Sequence, residues 1–129
     1  MKKVLVVEDN SDNLRLISYA LKRSGYEVIS AETGEDGVKL AVKVKPFFIV
    51  ADINLPGMDG AEMTRVLRGT ESCSSTPIIA ITSHAMTGDR ERVMAAGCNA
   101  YFEKPIDPLT IMECIHGAIR VGTKGGDGA

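Results

Sequence analysis

Five short apolar runs alternate with five stretches of helical periodicity along this chain, and that alternation leaves few folds open. The runs are Lys3-Val4-Leu5-Val6-Val7, Tyr26-Glu27-Val28-Ile29-Ser30, Phe47-Phe48-Ile49-Val50-Ala51, Pro77-Ile78-Ile79-Ala80-Ile81 and Ala100-Tyr101-Phe102-Glu103. A run that is apolar at successive positions suits a strand buried on both faces, as in a parallel sheet. Between and after the runs, Leu14, Ile17 and Leu21 fall at helical spacing, as do Gly37, Leu40, Ala41 and Val44. The same holds for Met63, Val66 and Leu67, and for Ile111, Ile115, Ala118 and Ile119. A more charged fourth helix is expected from about Gly88 to Ala96, with Asp89-Arg90-Glu91-Arg92 solvated. Strands separated by helices imply βαβ crossovers. The expected fold is α/β: a doubly wound, five-stranded parallel sheet with five helices.

Local punctuation agrees. Asn10 or Ser11 caps the first helix, because a short polar oxygen accepts the free amides of the first turn. Gly25 ends that helix, Thr33-Gly34 opens the second, and Pro46 ends it. Asp59-Gly60-Ala61-Glu62 has the form of a capping box. Gly97 stops the fourth helix, and Pro108 suits the first turn of the last.

A length of 129 residues suits one domain with one core. It is expected to cover residues 1–121, with the glycine-rich tail 122–129 disordered. No apolar run approaches the ~20 residues that span a bilayer, and no signal-peptide core follows Met1-Lys2-Lys3, so a cytoplasmic location is expected. A net charge of −2 lacks the basic footprint of a nucleic-acid binder. Cys73, Cys98 and Cys114 are odd in number and widely spaced, which favours reduced, structural thiols. His84 and His116 are expected at the solvated surface.

In parallel α/β sheets the functional crevice lies beyond the carboxyl ends of the strands. The groups just past those ends are Glu8 and Asp9, Asp52, Thr82 and Ser83, and Lys104. Three carboxylates converging there repel one another, and a hard divalent cation such as Mg²⁺ resolves the conflict with oxygen ligands. Asp9 and Asp52 are the expected direct ligands. Glu8, being longer, is expected to act through water, and the Ile53-Asn54 turn offers a backbone carbonyl. With the Lys104 ammonium and a hydroxyl, the set suits phosphoryl transfer, and an Asp carboxylate can be the nucleophile.

Together, Val6-Val7-Glu8-Asp9-Asn10, Asp52 with Leu55-Pro56-Gly57-Met58-Asp59-Gly60, Ile81-Thr82-Ser83 and Lys104-Pro105 resemble the two-component response-regulator receiver domains. This is the family of the chemotaxis response regulator. The likeness covers Lys3 to about Val121, and its wording around Thr82 to Arg90 is nearest to stand-alone and hybrid-histidine-kinase receivers. It implies a flavodoxin-like fold with strand order 2-1-3-4-5. It also implies phosphorelay signalling: Mg²⁺-dependent acceptance of a phosphoryl group on Asp52 from a histidine kinase or phosphotransfer protein, with Mn²⁺ as a substitute ion.

By position, the resemblance implies that Asp9 holds the metal with Asp52 and the Asn54 carbonyl, and that Lys104 contacts the acyl phosphate. Thr82 becomes the switch hydroxyl, Tyr101 the switch aromatic, and the Lys104-Pro105 bond is cis. Such a chain is a phosphoacceptor, not a turnover enzyme. Its output passes to a downstream protein through helix 4, strand 5 and helix 5, a face that could also form a homodimer, with no direct contact to nucleic acid or membrane. Glu8 stands where aspartate is common in the family, a change that keeps the charge. Asn54 and His84, each two residues past a site residue, are expected to tune access of the hydrolytic water.

Two other chemistries fit these residues less well. An aspartyl-phosphate hydrolase of the haloacid dehalogenase type wants an acid two residues after the nucleophile, where this chain has Asn54. A flavodoxin-like electron carrier needs a hydroxyl- and glycine-rich loop after the first strand, where Glu8-Asp9-Asn10 would repel a flavin phosphate.

Overall fold

The computed structural model describes residues 2–82, 85–104, 107 and 110–119. Strands β1 (Lys3–Val7), β2 (Glu27–Ala31), β3 (Ile49–Asp52), β4 (Ile78–Thr82) and β5 (Ala100–Glu103) lie between helices α1 (Ser11–Arg23), α2 (Gly34–Val44), α3 (Gly60–Arg68), α4 (Asp89–Ala96) and α5 (residues 110–119). A short 3-10 turn, Glu71–Cys73, leads towards β4. The strands form one sheet in the order β2-β1-β3-β4-β5, with every neighbouring pair parallel. The expected fold and strand order are therefore those observed.

Strand bounds differ from the sequence expectation by one or two residues, for physical reasons. Tyr26 donates its N–H to Leu21 O, closing the end of α1, so β2 starts at Glu27. Pro77 has no N–H to give the ladder, and β4 starts at Ile78. β3 starts at Ile49 and runs through Asp52, so the acid belongs to the strand itself. Phe47 stays outside, 37% exposed, stacked on Tyr26 with the Lys2 ammonium over its ring.

Side chains alternate along each strand, which splits the core in two. Leu5, Val7, Ile49, Ala51, Ile78 and Ala80 face α2, α3 and α4, meeting Ala41, Met63, Leu67 and Val93. Val4, Val6, Phe48, Val50, Ile79 and Ile81 face α1 and α5, meeting Ile17, Leu21, Ile111, Ile115 and Ile119. Each fully buried aliphatic or aromatic side chain contributes about 1.5–3 kcal/mol. Val66 is not part of this core: it is 40% exposed, and Thr64 takes the buried place, with Oγ1 bonded to Gly60 O and near Cys98 Sγ.

Helix caps follow the sequence. Asn10 Oδ1 accepts from the amides of Asp12 and Asn13, Thr33 Oγ1 from Asp36, and Asp59 Oδ1 from Glu62. Cys73, Cys98 and Cys114 are free thiols, the first two buried and the third exposed. Among the described residues no helix is long and apolar enough to cross a membrane. The expectations for Ser83, His84, the Lys104-Pro105 bond, Pro108 and the tail 122–129 fall outside the described residues.

Candidate functional site

The order of the sheet reverses between β1 and β3, and the carboxyl ends of those strands form a crevice. Alternation decides which side chains meet there. Asp52 continues the row of Phe48 and Val50, Glu8 that of Val4 and Val6, and Lys104 that of Ala100 and Phe102, all on the α1/α5 side. Backbone bonds fix the loops: Glu8 N donates to Ala31 O, Ile53 N to Ile81 O, and Lys104 N to Thr82 O at 2.7 Å. The last bond carries the β4–β5 pairing one residue past Glu103 and aims Lys104 over the crevice.

The Lys104 ammonium donates to Glu8 Oε1 at 2.6 Å and to Asp52 Oδ2 at 3.0 Å. Glu8 is 1% exposed and Asp52 4%. Asn10 N donates to Glu8 Oε2, and Asn54 N to Asp52 Oδ1 at 2.8 Å. Burial pushes the Glu8 carboxyl up to about 7; the Lys104 bond pulls it down and the Asp52 charge pushes it up. Asp9 stays exposed at the rim.

Carboxylate oxygens of Glu8, Asp9 and Asp52 all lie within 4.8 Å of one another. The donors are hard oxygens, one acid is open to solvent, and the cluster carries more negative charge than Lys104 cancels. That suits a hard divalent cation which keeps part of its hydration. The turn after Asp52 is built for close approach. Gly57 holds φ +73, and a Cβ on Gly60 would meet Ile53 Cα at 2.7 Å and Asp52 O at 2.9 Å. The positive end of α3 therefore abuts the backbone of the acid.

Thr82 and Tyr101 fall in the opposite row. Thr82 continues the line of Ala80 towards α3 and α4, and is 0% exposed. Its Oγ1 accepts from Asn54 Nδ2 at 2.8 Å. Tyr101 pairs with Ala80, two residues below Thr82, and is half-buried. It lines a shallow groove of about 300 Å³ between α4, β5 and α5 with Arg90, Met94, Phe102, Cys114 and Ala118. Burial, then the charges of Glu103 and Asp89, raise its hydroxyl pKa.

Three features were missed at the level of sequence. Asp89 is buried, not solvated: Oδ2 accepts from Met86 N, and Arg92 reaches both Asp89 and Asp59, tying α4 to the cap of α3. His116 is half-buried rather than fully solvated: its Nε2 is hydrogen-bonded to the Tyr26 hydroxyl at 2.8 Å. Arg68 gathers the carbonyls of Cys73, Ser74 and Gly97 and the side chain of Asn99. A charged residue that helix periodicity assigns to the surface carries no sequence mark of such contacts.

Comparison with known proteins agrees with this geometry. The profile of the response regulator receiver domain family matches residues 4–116. The polar-differentiation response regulator DivK of Brucella ovis is 40% identical over 114 residues, which cover 88% of this chain and 93% of that protein. Among solved structures, the receiver domain of a Pseudomonas aeruginosa sensor histidine kinase, holding a magnesium ion in its active-site cleft, superposes with TM-score 0.84 at 35% identity. That match covers 92% of this chain and 97% of the other. The chemotaxis response regulator CheY4 of Vibrio cholerae gives TM-score 0.85 at 29% identity, covering 92% and 98%.

Proposed function

The chain belongs to the response regulator receiver domain family and has that family's phosphorelay role, a phosphoacceptor and not a turnover enzyme; from that premise we propose Asp52 as the residue phosphorylated. The observation that carries this assignment is the Lys104 ammonium shared between Asp52 Oδ2 and Glu8 Oε1 beside the three-acid cluster.

In this reading an Asp52 carboxylate oxygen attacks the phosphorus of a phosphohistidine on a histidine kinase or phosphotransfer protein. A P–O bond forms to Asp52 as the P–N bond breaks. The imidazole leaves with the electron pair and takes a proton from solvent. No general base takes part, because a carboxylate oxygen has no proton to give up as it attacks. Asp9, Asp52 and the Asn54 carbonyl would hold Mg²⁺, with Glu8 acting through water; such an ion would supply positive charge to offset that of the transferring phosphoryl group. Lys104 exchanges its Asp52 contact for a phosphoryl oxygen. Water later cleaves the acyl phosphate to the Asp52 carboxylate and inorganic phosphate.

A phosphoryl group adds a charge of about −1.5 to −2 and strong acceptor oxygens. It draws the Thr82 hydroxyl towards Asp52, and Tyr101 turns in behind it. The groove between α4, β5 and α5 changes shape as a result, and a downstream protein docks there. A second copy of the chain is the alternative occupant; sedimentation with and without phosphorylation separates the two.

The acceptor is tested by transfer from a phosphorylated histidine kinase, followed by borohydride reduction and peptide mass mapping. Reduction converts a phosphorylated aspartate to homoserine. Homoserine at position 52 is the expected result, and homoserine at Asp9 or Asp59 instead would overturn the assignment.

A further inference from the structure

Asn54 stands where the two halves of the site meet. Its backbone N–H donates to Asp52 Oδ1 at 2.8 Å, and its side-chain Nδ2 donates to Thr82 Oγ1 at 2.8 Å. Asp52 belongs to the row facing α1 and α5, whereas Thr82 belongs to the row facing α3 and α4. One residue thus joins the acid to a buried hydroxyl on the other face of the sheet. The amide thus occupies a lone pair of that hydroxyl. We propose that the Asn54 carboxamide is a latch on Thr82, a positioning residue that holds the unphosphorylated protein in its resting state.

The latch rests on the phosphoacceptor reading and deepens it. For Thr82 to serve a phosphoryl group on Asp52, it must leave the place in which Asn54 holds it. The hydrogen bond therefore opposes the switched state, and a ligand shifts the equilibrium only by its differential affinity for the two states. Removing the bond lowers that opposition. One hydrogen bond corresponds to about a twofold to tenfold change in an equilibrium constant. Asn54 is exposed, so truncation disturbs no core packing, and the backbone N–H and carbonyl survive it.

The test is a double-mutant cycle on Asn54→Ala and Thr82→Ala. Affinity for beryllofluoride with Mg²⁺, an acyl-phosphate mimic, is read by Tyr101 chemical shifts and by titration calorimetry. Urea unfolding of each variant establishes that all are folded. Asn54→Ala is expected to bind the mimic about twofold to tenfold more tightly, with free-protein Tyr101 shifts displaced towards the bound position. In the Thr82→Ala background the same substitution is expected to change nothing. Unchanged or weaker binding by Asn54→Ala overturns the latch, as does an equal gain without Thr82. A wild-type protein that binds no beryllofluoride overturns the phosphoacceptor reading and the latch with it; failure confined to the cycle overturns the latch alone.

Discussion

The Lys104 ammonium sits 2.6 Å from the Glu8 carboxylate, a contact that spans 96 residues of chain and is closed to solvent on both sides. Two acids, Glu8 and Asp52, thus share one buried cation. Removing one partner of such a group leaves uncompensated charge in a poor dielectric. Lys104→Met in metal-free protein is expected to lose about 3–5 kcal/mol of stability by urea unfolding. Adding Asp52→Asn to that variant should recover a substantial part by removing one of the two facing charges. A Lys104→Met variant as stable as the wild type would show that the pair contributes nothing to the fold.

Asp9 is the exposed member of the acid cluster and the one not bonded to Lys104 among the described contacts. It therefore matters to the metal more than to the fold. Asp9→Asn is expected to leave the metal-free unfolding midpoint nearly unchanged and to weaken Mg²⁺ binding at least about tenfold. Binding only to the folded state raises stability by mass action, so the wild-type Tm should rise with Mg²⁺ while that of the variant lags. Chelation with EDTA should abolish phosphorylation of the wild type. Equal Mg²⁺ stabilisation of both proteins would remove Asp9 from the site.

Arg68 ties the end of α3 to the α4–β5 connection. Its Nε and Nη2 donate to Gly97 O at 3.0 and 2.9 Å, and Nη1 donates to Cys73 O at 3.1 Å. Asn99 Oδ1 accepts from Arg68 Nη2 and from Ile78 N, which carries the link to the start of β4. Arg68→Met is expected to cost about 2 kcal/mol or more, since hydrogen bonds to charged donors exceed neutral ones. Arg68→Lys should rescue little, because an ammonium lacks the planar fork. Both variants should still be phosphorylated. Full rescue by lysine would contradict the geometry.

The Cys98 thiol is buried against Thr64, and burial raises its pKa above the ordinary thiol value. In the unfolded chain the thiol ionises first as pH rises. The folded state then binds more protons, so stability falls with pH. Its contribution is complete below the ordinary thiol pKa and is lost as pH climbs through the raised one. Tyr26, also raised by burial, acts with the same sign at higher pH. Cys98→Ala should flatten the first part of that alkaline decline in urea unfolding. Thr64 Oγ1 keeps its 2.7 Å bond to Gly60 O in the variant. An identical decline in the variant would locate the titration elsewhere.

The strand ends were legible because parallel strands announce themselves as short apolar runs, and the residue that breaks each run falls at the crevice. Asp52, Glu8, Asp9, Thr82 and Lys104 were found that way. Their division between the two faces of the sheet was not legible, since it rests on the β3–β4 register, which pairs Asp52 with Ile81 and leaves Thr82 out of phase. The hydrogen bond that crosses this division was not legible, because the rotamer of Asn54 depends on a turn no pattern encodes. Asp89, Arg68 and His116 were hidden for a related reason. Each is a polar residue on a helix or helix end, where periodicity separates apolar from polar but not a solvated side chain from one folded back onto backbone groups.

Asp52 is expected to accept a phosphoryl group in an Mg²⁺-dependent reaction. The most direct measurement is intact mass after incubation with acetyl phosphate and Mg²⁺, under conditions that preserve acyl phosphates. One added phosphoryl group on the wild type is expected, with none after EDTA treatment and none on Asp52→Asn. An adduct of the same mass on Asp52→Asn, or no adduct on the wild type with acetyl phosphate or any phosphorylated kinase, would contradict the claim.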